Sequence, residues 1–401
     1  MIAKIYPSKA YGTVTAPPSK SFAHRALICG ALSEKSVIKN IAFSKDIEAT
    51  INCLKALGAT VQIDGNTVTI GGLKPFNLPQ NVSAFCNESG STLRFLIPLC
   101  MLSNTNIRLN GTGRLFERPL DIYKNIADEN NINFKVNKDF VDIGGKLKSG
   151  SFEIEGNISS QFITGLLFAL PLLKGDSQIV IEGKFESESY INITIQVLEK
   201  FGIKIDRKGN VFYIKGSQKY KNFNYTVEGD CSNAAFFEAL NYIGSNVAVD
   251  GLNENSIQGD VVYKKIFKQM SDNVREFDLS DCPDLAPIVF ALGAALGGNY
   301  TFNGTKRLKI KESDRATAMQ KELKKFSVET VIGEDSFYIK KCKLSTPKEP
   351  IAAHNDHRIV MSFAVLCSIF GGEIIGIEAV NKSFPDFFEN LKSIGIGLVL
   401  E

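Results

Sequence analysis

Six times along the chain a short polar head runs directly into a long apolar stretch. The stretches are SKSFAHRALICGAL from Ser19, ESGSTLRFLIPLCML from Glu88, SSQFITGLLFALPLL from Ser159, DCSNAAFFEALNYI from Asp230, DCPDLAPIVFALGAAL from Asp281 and NDHRIVMSFAVLCSIF from Asn355. A helix that is apolar on all sides belongs inside a protein, so each stretch predicts a buried helix with a polar N-terminus. A second, amphipathic type alternates with the first, starting near Asp46, Arg118, Tyr190, Asp260, Glu312 and Phe384. Ile47, Ile51 and Leu54 show its helical spacing. Several of these amphipathic helices lead into an alternating strand, a turn rich in Gly, Asn or Asp, and a second strand, as in ATVQIDGNTVTI, IKIDRKGNVFYI and VETVIGEDSFYI.

Successive buried stretches start 69, 71, 71, 51 and 74 residues apart. The predicted unit is a buried helix, a strand, an amphipathic helix and a hairpin, repeated at about 70 residues, which is too long for the common solenoids. Three units per domain and two similar domains divide 401 residues sensibly. The class is α/β.

Composition narrows the function. Apolar residues make up 44% and charged residues 22%, as in ordinary globular proteins, and the net charge of +3 argues against a broad polyanion-binding face. Eight cysteines without a C-x-x-C pair and only three histidines exclude the familiar zinc patterns. Reduced thiols, a start (MIAKIYPSKAYG) without an apolar leader core, and no apolar run long enough for a bilayer lead us to expect a soluble cytoplasmic protein.

The polar heads carry the chemistry. A helix N-terminus offers unsatisfied N–H groups and the positive end of the dipole, and is a natural anion site. Here the heads combine such ends with cations and hydroxyls. Lys20, Ser21 and Arg25 open the first; Gly90, Ser91 and Arg94 the second; Ser159, Ser160 and Gln161 the third. Arg118 stands before Pro119, Lys311, Glu312, Asp314 and Arg315 lie in IKESDRA, and Asp356, His357 and Arg358 in NDHRIV. Arg forks suit carboxylate and phosphate. Lys20 in the first turn of a helix is electrostatically misplaced, and its partner, like that of Arg25, is expected to be a substrate anion rather than a side chain; a solvated Lys20 and a snorkelling Arg25 are the bland alternative. So cationic a set is expected to repel itself without substrate. Asp230, Asp314 and Asp356 read as helix caps or ion-pair partners, and His24 and His354 as structural.

With PPSKSFAHRAL, NESGSTLRFLIPL, GRLFERPL, SSQFITGLL, ESESYINIT, GDCSNAAFF, KIKESDRATAM, NDHRIVMSFAV and NKSFPDFFENL in order from residue 17 to 391, the chain closely resembles the 5-enolpyruvylshikimate-3-phosphate synthases. The resemblance implies two similar inside-out α/β barrel domains, each of three βαβαββ-type units, with the active site in the interdomain cleft. Residues 15–227 would form one domain, 1–14 and 228–401 the other. It also implies the reaction, transfer of the enolpyruvyl group of phosphoenolpyruvate to the 5-hydroxyl of shikimate 3-phosphate with release of phosphate, a step toward chorismate and the aromatic amino acids. No cofactor or metal is implied, the partners are the anionic small-molecule substrates without nucleic acid or membrane, and a monomer is expected.

Carried over position by position, the resemblance assigns shikimate 3-phosphate to Lys20, Ser21, Arg25, Ser159, Ser160, Gln161, Ser187, Tyr190, Asp284, Arg307 and Lys311. It assigns phosphoenolpyruvate to Lys20, Gly90, Arg94, Arg118, Gln161, Arg315, Arg358 and Lys382. Asp284 is the implied base for the 5-hydroxyl, Glu312 the acid, and Lys20 the third catalytic group. Three departures stand out: Glu88 and Arg307 where relatives often carry Asn, and Phe95 where some have Pro. The family's inhibitor glyphosate needs room at Gly90, so sensitivity is expected. The rivals are the sister enzyme that acts on UDP-N-acetylglucosamine, which usually has Lys-Asn in place of Lys20-Ser21, a silent anion binder, and an RNA-end-processing relative.

Overall fold

The protein is described by a computed structural model covering every residue except Cys342. Its contacts divide it into two compact units, Pro18–Glu228 and Met1–Pro17 with Gly229–Glu401. Each unit has its own apolar core.

In Pro18–Glu228 the helices are α1 (Lys20–Leu32), α2 (Lys45–Ala56), α3 (Gly90–Cys100), α4 (Asp121–Glu129), α5 (Ser160–Ala169) and α6 (Glu188–Lys200). The odd-numbered three are the all-apolar stretches, and in α1 every residue from Phe22 to Ala31 is buried. Around them lie three four-stranded sheets of one design. In the second sheet Val82–Phe85 pairs parallel with Ile107–Asn110, which pairs antiparallel with Phe140–Gly144, itself the hairpin partner of Asn133–Val136. The parallel pair requires a helical crossover, supplied by α3, while α4 returns the chain to the hairpin. The unit is therefore βαβαββ. The other two sheets, built on Ser36–Lys39 and Ser177–Glu182, repeat the order. Close approach of α5 to α3 depends on Gly165, where a Cβ would stand 2.4 Å from the Arg94 carbonyl oxygen and 2.3 Å from the Tyr123 hydroxyl.

The other unit contains α7 (Cys231–Asn241), α8 (Tyr263–Ser271), α9 (Ala286–Leu296), α10 (Arg315–Lys325), α11 (His357–Phe370) and α12 (Phe387–Ser393). The sheet of Glu276–Asp278, Tyr300–Asn303, Ser336–Ile339 and Thr330–Ile332 repeats the same order. A second is completed from both chain ends: Ile351–Ala352 and Gly372–Ile375 run parallel, and Ile2–Ile5 and Leu398–Leu400 take the hairpin places. The third is a bare parallel pair, Tyr11–Thr15 with Asn246–Asp250. Among the described residues no hairpin follows α8, and this is why that one spacing in the sequence shrinks to 51 residues.

Four amphipathic helices start three residues later than their sequence pattern suggests, at Asp121, Tyr263, Arg315 and Phe387. At α10 the cause is explicit: Asp314 is the N-cap, its side chain accepting from the Thr317 N–H. Asp230 and Asp356 likewise cap α7 and α11. Among the described residues no helix is long and apolar enough to cross a membrane.

Candidate active site

Each unit gathers most of its candidate residues at or near the N-termini of its helices, buried and amphipathic alike. In Pro18–Glu228, Lys20 is the first residue of α1, and its Nζ lies 2.8 Å from Asp46 Oδ2 at the start of α2. Arg25, one turn into α1, donates from Nε to Thr194 Oγ1 (2.7 Å), from Nη1 to the Ser21 carbonyl (2.7 Å) and from Nη2 to the Tyr190 carbonyl (2.9 Å). Burial pushes its pKa down to about 10, against the pull of Tyr190. These contacts correct the expectation that Lys20 and Arg25 lack protein partners. Lys20 is paired with a carboxylate, and Arg25 clamps α1 onto α6.

Arg94, on α3, donates from Nη1 to Gln161 Oε1 (2.8 Å) and from Nη2 to the Pro119 carbonyl (2.9 Å), with its guanidinium 5.0 Å from the Phe162 ring centre. Gln161 in turn donates from Nε2 to Ser91 Oγ at 2.9 Å, so its amide orientation is set from both ends. Ser159 caps α5, accepting from the Gln161 N–H, and Ser160 is the first helical residue. Ser187, at the N-cap of α6, is buried and holds a left-handed backbone (φ 56°), a conformation that a non-glycine residue adopts at a cost. Tyr190 stands half-buried one turn later.

Arg118 differs from all of these. It is buried, and among the described residues no hydrogen bond or ion pair reaches its guanidinium. The fork lies flat against Gly90, the first residue of α3; a Cβ there would be 2.4 Å from Nη1 and 2.8 Å from Cζ. A cation held in protein without a counter-ion, at the positive end of a helix, is unfavourable unless a ligand anion completes it. Glu88, two residues before, packs against Gly113, where a Cβ would meet its Oε1 at 2.5 Å.

In the unit of Gly229–Glu401 the cations interleave with carboxylates. The Asp284 carboxylate, just ahead of α9, receives Arg315 Nη1 (2.8 Å) and Lys311 Nζ (3.2 Å) on Oδ1 and Arg358 Nη2 (3.0 Å) on Oδ2. Arg315 is almost wholly buried and also reaches Glu312 Oε2 through Nη2 and Asp356 Oδ2 through Nε, both at 2.8 Å. The expected mutual repulsion of this set is thereby corrected, since three carboxylates neutralise it. Burial pushes the Asp284 carboxyl up, but Arg358, Lys311 and Arg315 outweigh it and hold the group well below the usual carboxylate range. Burial lowers the Lys311 pKa, with Asp284 opposing. Arg358 Nη1 donates to Ser232 Oγ at 2.5 Å, and Lys382 Nζ donates to the Asn355 carbonyl at 2.6 Å. Arg307 is buried and directs Nη2 at the Ser280 carbonyl.

Several partners were not anticipated from sequence: Asp46, Ser91, Thr194 and Ser232; Asp356 is both the cap and the ion-pair partner that its place in NDHRIV suggested. Ser91 was visible inside a polar head. Asp46 and Thr194 lie 26 and 169 residues from the cations they hold, at distances no local pattern reports.

The model of the family described as EPSP synthase (3-phosphoshikimate 1-carboxyvinyltransferase) matches residues 6–391. Proteins named 3-phosphoshikimate 1-carboxyvinyltransferase from Clostridium kluyveri and Clostridium acetobutylicum are 41% and 42% identical to the chain. Each alignment spans 98% of this chain and, respectively, 96% and 97% of the relative. Among solved structures, EPSP synthase from Acinetobacter baumannii superposes with a TM-score of 0.78 at 24% identity, each chain covered in full. The enolpyruvyl transferase NikO from Streptomyces tendae gives 0.75 at 14% identity, over 99% of this chain and 98% of that one. At these identities the structural likenesses speak for the fold, and the sequence matches for the family. The chain belongs to the EPSP synthase (3-phosphoshikimate 1-carboxyvinyltransferase) family.

Proposed function

We propose that the chain transfers the enolpyruvyl group of phosphoenolpyruvate to the 5-hydroxyl of shikimate 3-phosphate. The observation that carries this reading is the buried, uncompensated Arg118 guanidinium on Gly90, which suits a small dianion at the start of α3. The residues proposed for phosphoenolpyruvate are Arg118, Arg94, Gly90, Gln161, Lys20, Arg315, Arg358 and Lys382. Shikimate 3-phosphate is held by Ser21, Arg25, Ser159, Ser160, Gln161, Ser187 and Tyr190, with Lys20, Lys311, Arg307 and Asp284 completing the set.

In the reaction the 5-hydroxyl oxygen bonds to C2 of phosphoenolpyruvate while the methylene carbon takes up a proton. Loss of phosphate and of a methyl proton then restores the double bond. Asp284 accepts the hydroxyl proton and Glu312 delivers the proton to carbon, with Lys20 beside the reacting centre. Asp284 is a poor base while Arg358, Lys311 and Arg315 hold it. Substrate anions draw on the same cations, so their arrival weakens that hold and raises the proton affinity of the carboxylate. The enzyme works in the cytoplasm, as a monomer and without a cofactor.

The test is phosphate release with both substrates and with each omitted. Release only when both are present supports the reading. Release with UDP-N-acetylglucosamine replacing shikimate 3-phosphate, or no release at all, refutes it.

A further inference from the structure

A buried chain of hydrogen bonds runs from α1 to the start of α3. His24 Nδ1 lies 2.7 Å from Thr50 Oγ1 on α2, Thr50 Oγ1 lies 2.6 Å from Thr92 Oγ1, and Thr92 Oγ1 lies 2.7 Å from Ser89 Oγ, the N-cap of α3. All four residues are almost entirely buried. Thr92 also places its hydroxyl 3.4 Å from the Asp46 carbonyl, and Asp46 is the residue whose carboxylate holds Lys20. The chain therefore ties together the N-terminal parts of three helices that carry candidate residues: Lys20 on α1, Asp46 on α2, and Gly90 and Arg94 on α3.

Counting protons gives the chain a direction. A hydroxyl has a single proton to donate. Thr92 gives its proton to Ser89 Oγ, which also accepts from the Thr92 N–H at 3.2 Å. Thr50 must then give its proton to Thr92, and the proton between His24 and Thr50 must sit on Nδ1. The other ring nitrogen, Nε2, is buried and has no hydrogen-bond partner among the described residues. Burial, reinforced by Lys20 and Arg25, keeps the ring neutral by holding its pKa well below the usual range.

We propose that His24, as the Nδ1–H tautomer, is a positioning residue for phosphoenolpyruvate: through Thr50 and Thr92 it fixes the Ser89 cap, and with it the Gly90 edge on which Arg118 lies. This rests on the reading given under Proposed function. Asn carries an amide N–H close to the place of Nδ1 and can serve as the donor; Leu cannot.

The test compares His24→Asn, His24→Leu, Thr50→Ser and Thr50→Val in steady-state phosphate release, varying each substrate in turn. Loss of one buried hydrogen bond predicts that His24→Leu and Thr50→Val raise KM for phosphoenolpyruvate by about fivefold, with kcat and KM for shikimate 3-phosphate within about twofold. His24→Asn and Thr50→Ser stay within about twofold in all three. Nitrogen-15 NMR of the wild type reports the tautomer directly, and with only three histidines His24→Asn assigns its signal. A proton on Nε2, equal rises in both KM values, or a His24→Asn variant no better than His24→Leu overturns the proposal. If His24→Leu does not fold, the Thr50 pair and the tautomer decide. Absence of phosphate release by the wild type overturns the functional reading and the positioning role together, whereas an active wild type with unresponsive variants overturns the positioning role alone.

Discussion

Gly90→Ala probes the anion site without removing any charge. The added Cβ would lie 2.4, 2.8 and 2.9 Å from Nη1, Cζ and Nη2 of Arg118. Those atoms end a flexible side chain, so the clash is relieved by moving the guanidinium about 1 Å outward rather than by disturbing α3, and the cost in stability stays below roughly 1 kcal/mol. On the reading proposed above, the same movement should spoil the paired contact with phosphoenolpyruvate. A hydrogen bond to a charged group contributes about 1.5–3 kcal/mol, which corresponds to about a ten- to hundredfold rise in KM. The assay is phosphate release against phosphoenolpyruvate at saturating shikimate 3-phosphate, beside a urea melt. KM for shikimate 3-phosphate should hold steady. An unchanged KM for phosphoenolpyruvate in a stable variant would refute the placement of Arg118 in that site.

Further outcomes follow from the same contacts. Asp284→Ala and Glu312→Gln should each lower kcat by about a hundredfold or more, as expected for general acid–base groups; near-normal turnover by both sinks the assignment. Gly165→Ala forces a Cβ to within 2.4 Å of backbone on α3, so it should destabilise the protein by about 1–3 kcal/mol, measured by denaturant unfolding. Asp284, Asp356 and Glu322 keep pKa values below their ordinary ones despite burial, through Arg358, Arg315 and His354 respectively. The folded state thus binds fewer protons than the unfolded one. The stability these groups lend is present above about pH 4 and lost as pH falls below it, which urea midpoints at pH 7, 5 and 3.5 will register. Glyphosate should inhibit when phosphoenolpyruvate is limiting, and a flat curve would show that Glu88, Ser91 and Phe95 have closed the space beside Gly90.

The repeat was legible because its two helix types differ in a property that composition alone carries: one is apolar all round, the other on a single face. Even the irregular 51-residue spacing had a structural cause, the missing hairpin after α8. Pairing of charges was not legible. Lys20 finds Asp46 and Arg315 finds Asp356, 26 and 41 positions away, because the fold brings helix starts together and the sequence does not record which carboxylate arrives beside which cation. For the same reason the polar heads misled on one point. Read singly they suggested a bare cationic site, whereas in the unit of Gly229–Glu401 the carboxylates are built in among the cations.

That difference bears on what the proposed residues do. Arg315 is held by three carboxylates and is nearly inaccessible, so it is rigid before any ligand arrives and its charge is largely compensated. Arg118 meets no carboxylate among the described residues and so has much to gain from a dianion. On the reading proposed above, phosphoenolpyruvate should then be attracted strongly by Arg118, while Arg315, Arg358 and Lys311 should act mainly through the charge they lend Asp284. Removing Arg118 should then weaken binding with little change in the acid limb of the kcat profile. Replacing Lys311 by Met should instead shift that limb to higher pH, because the carboxylate loses one of the cations that disfavour its protonation. An Arg118→Met variant that moves the limb as far as Lys311→Met would show that the two cations do the same job, and this division of labour would be wrong.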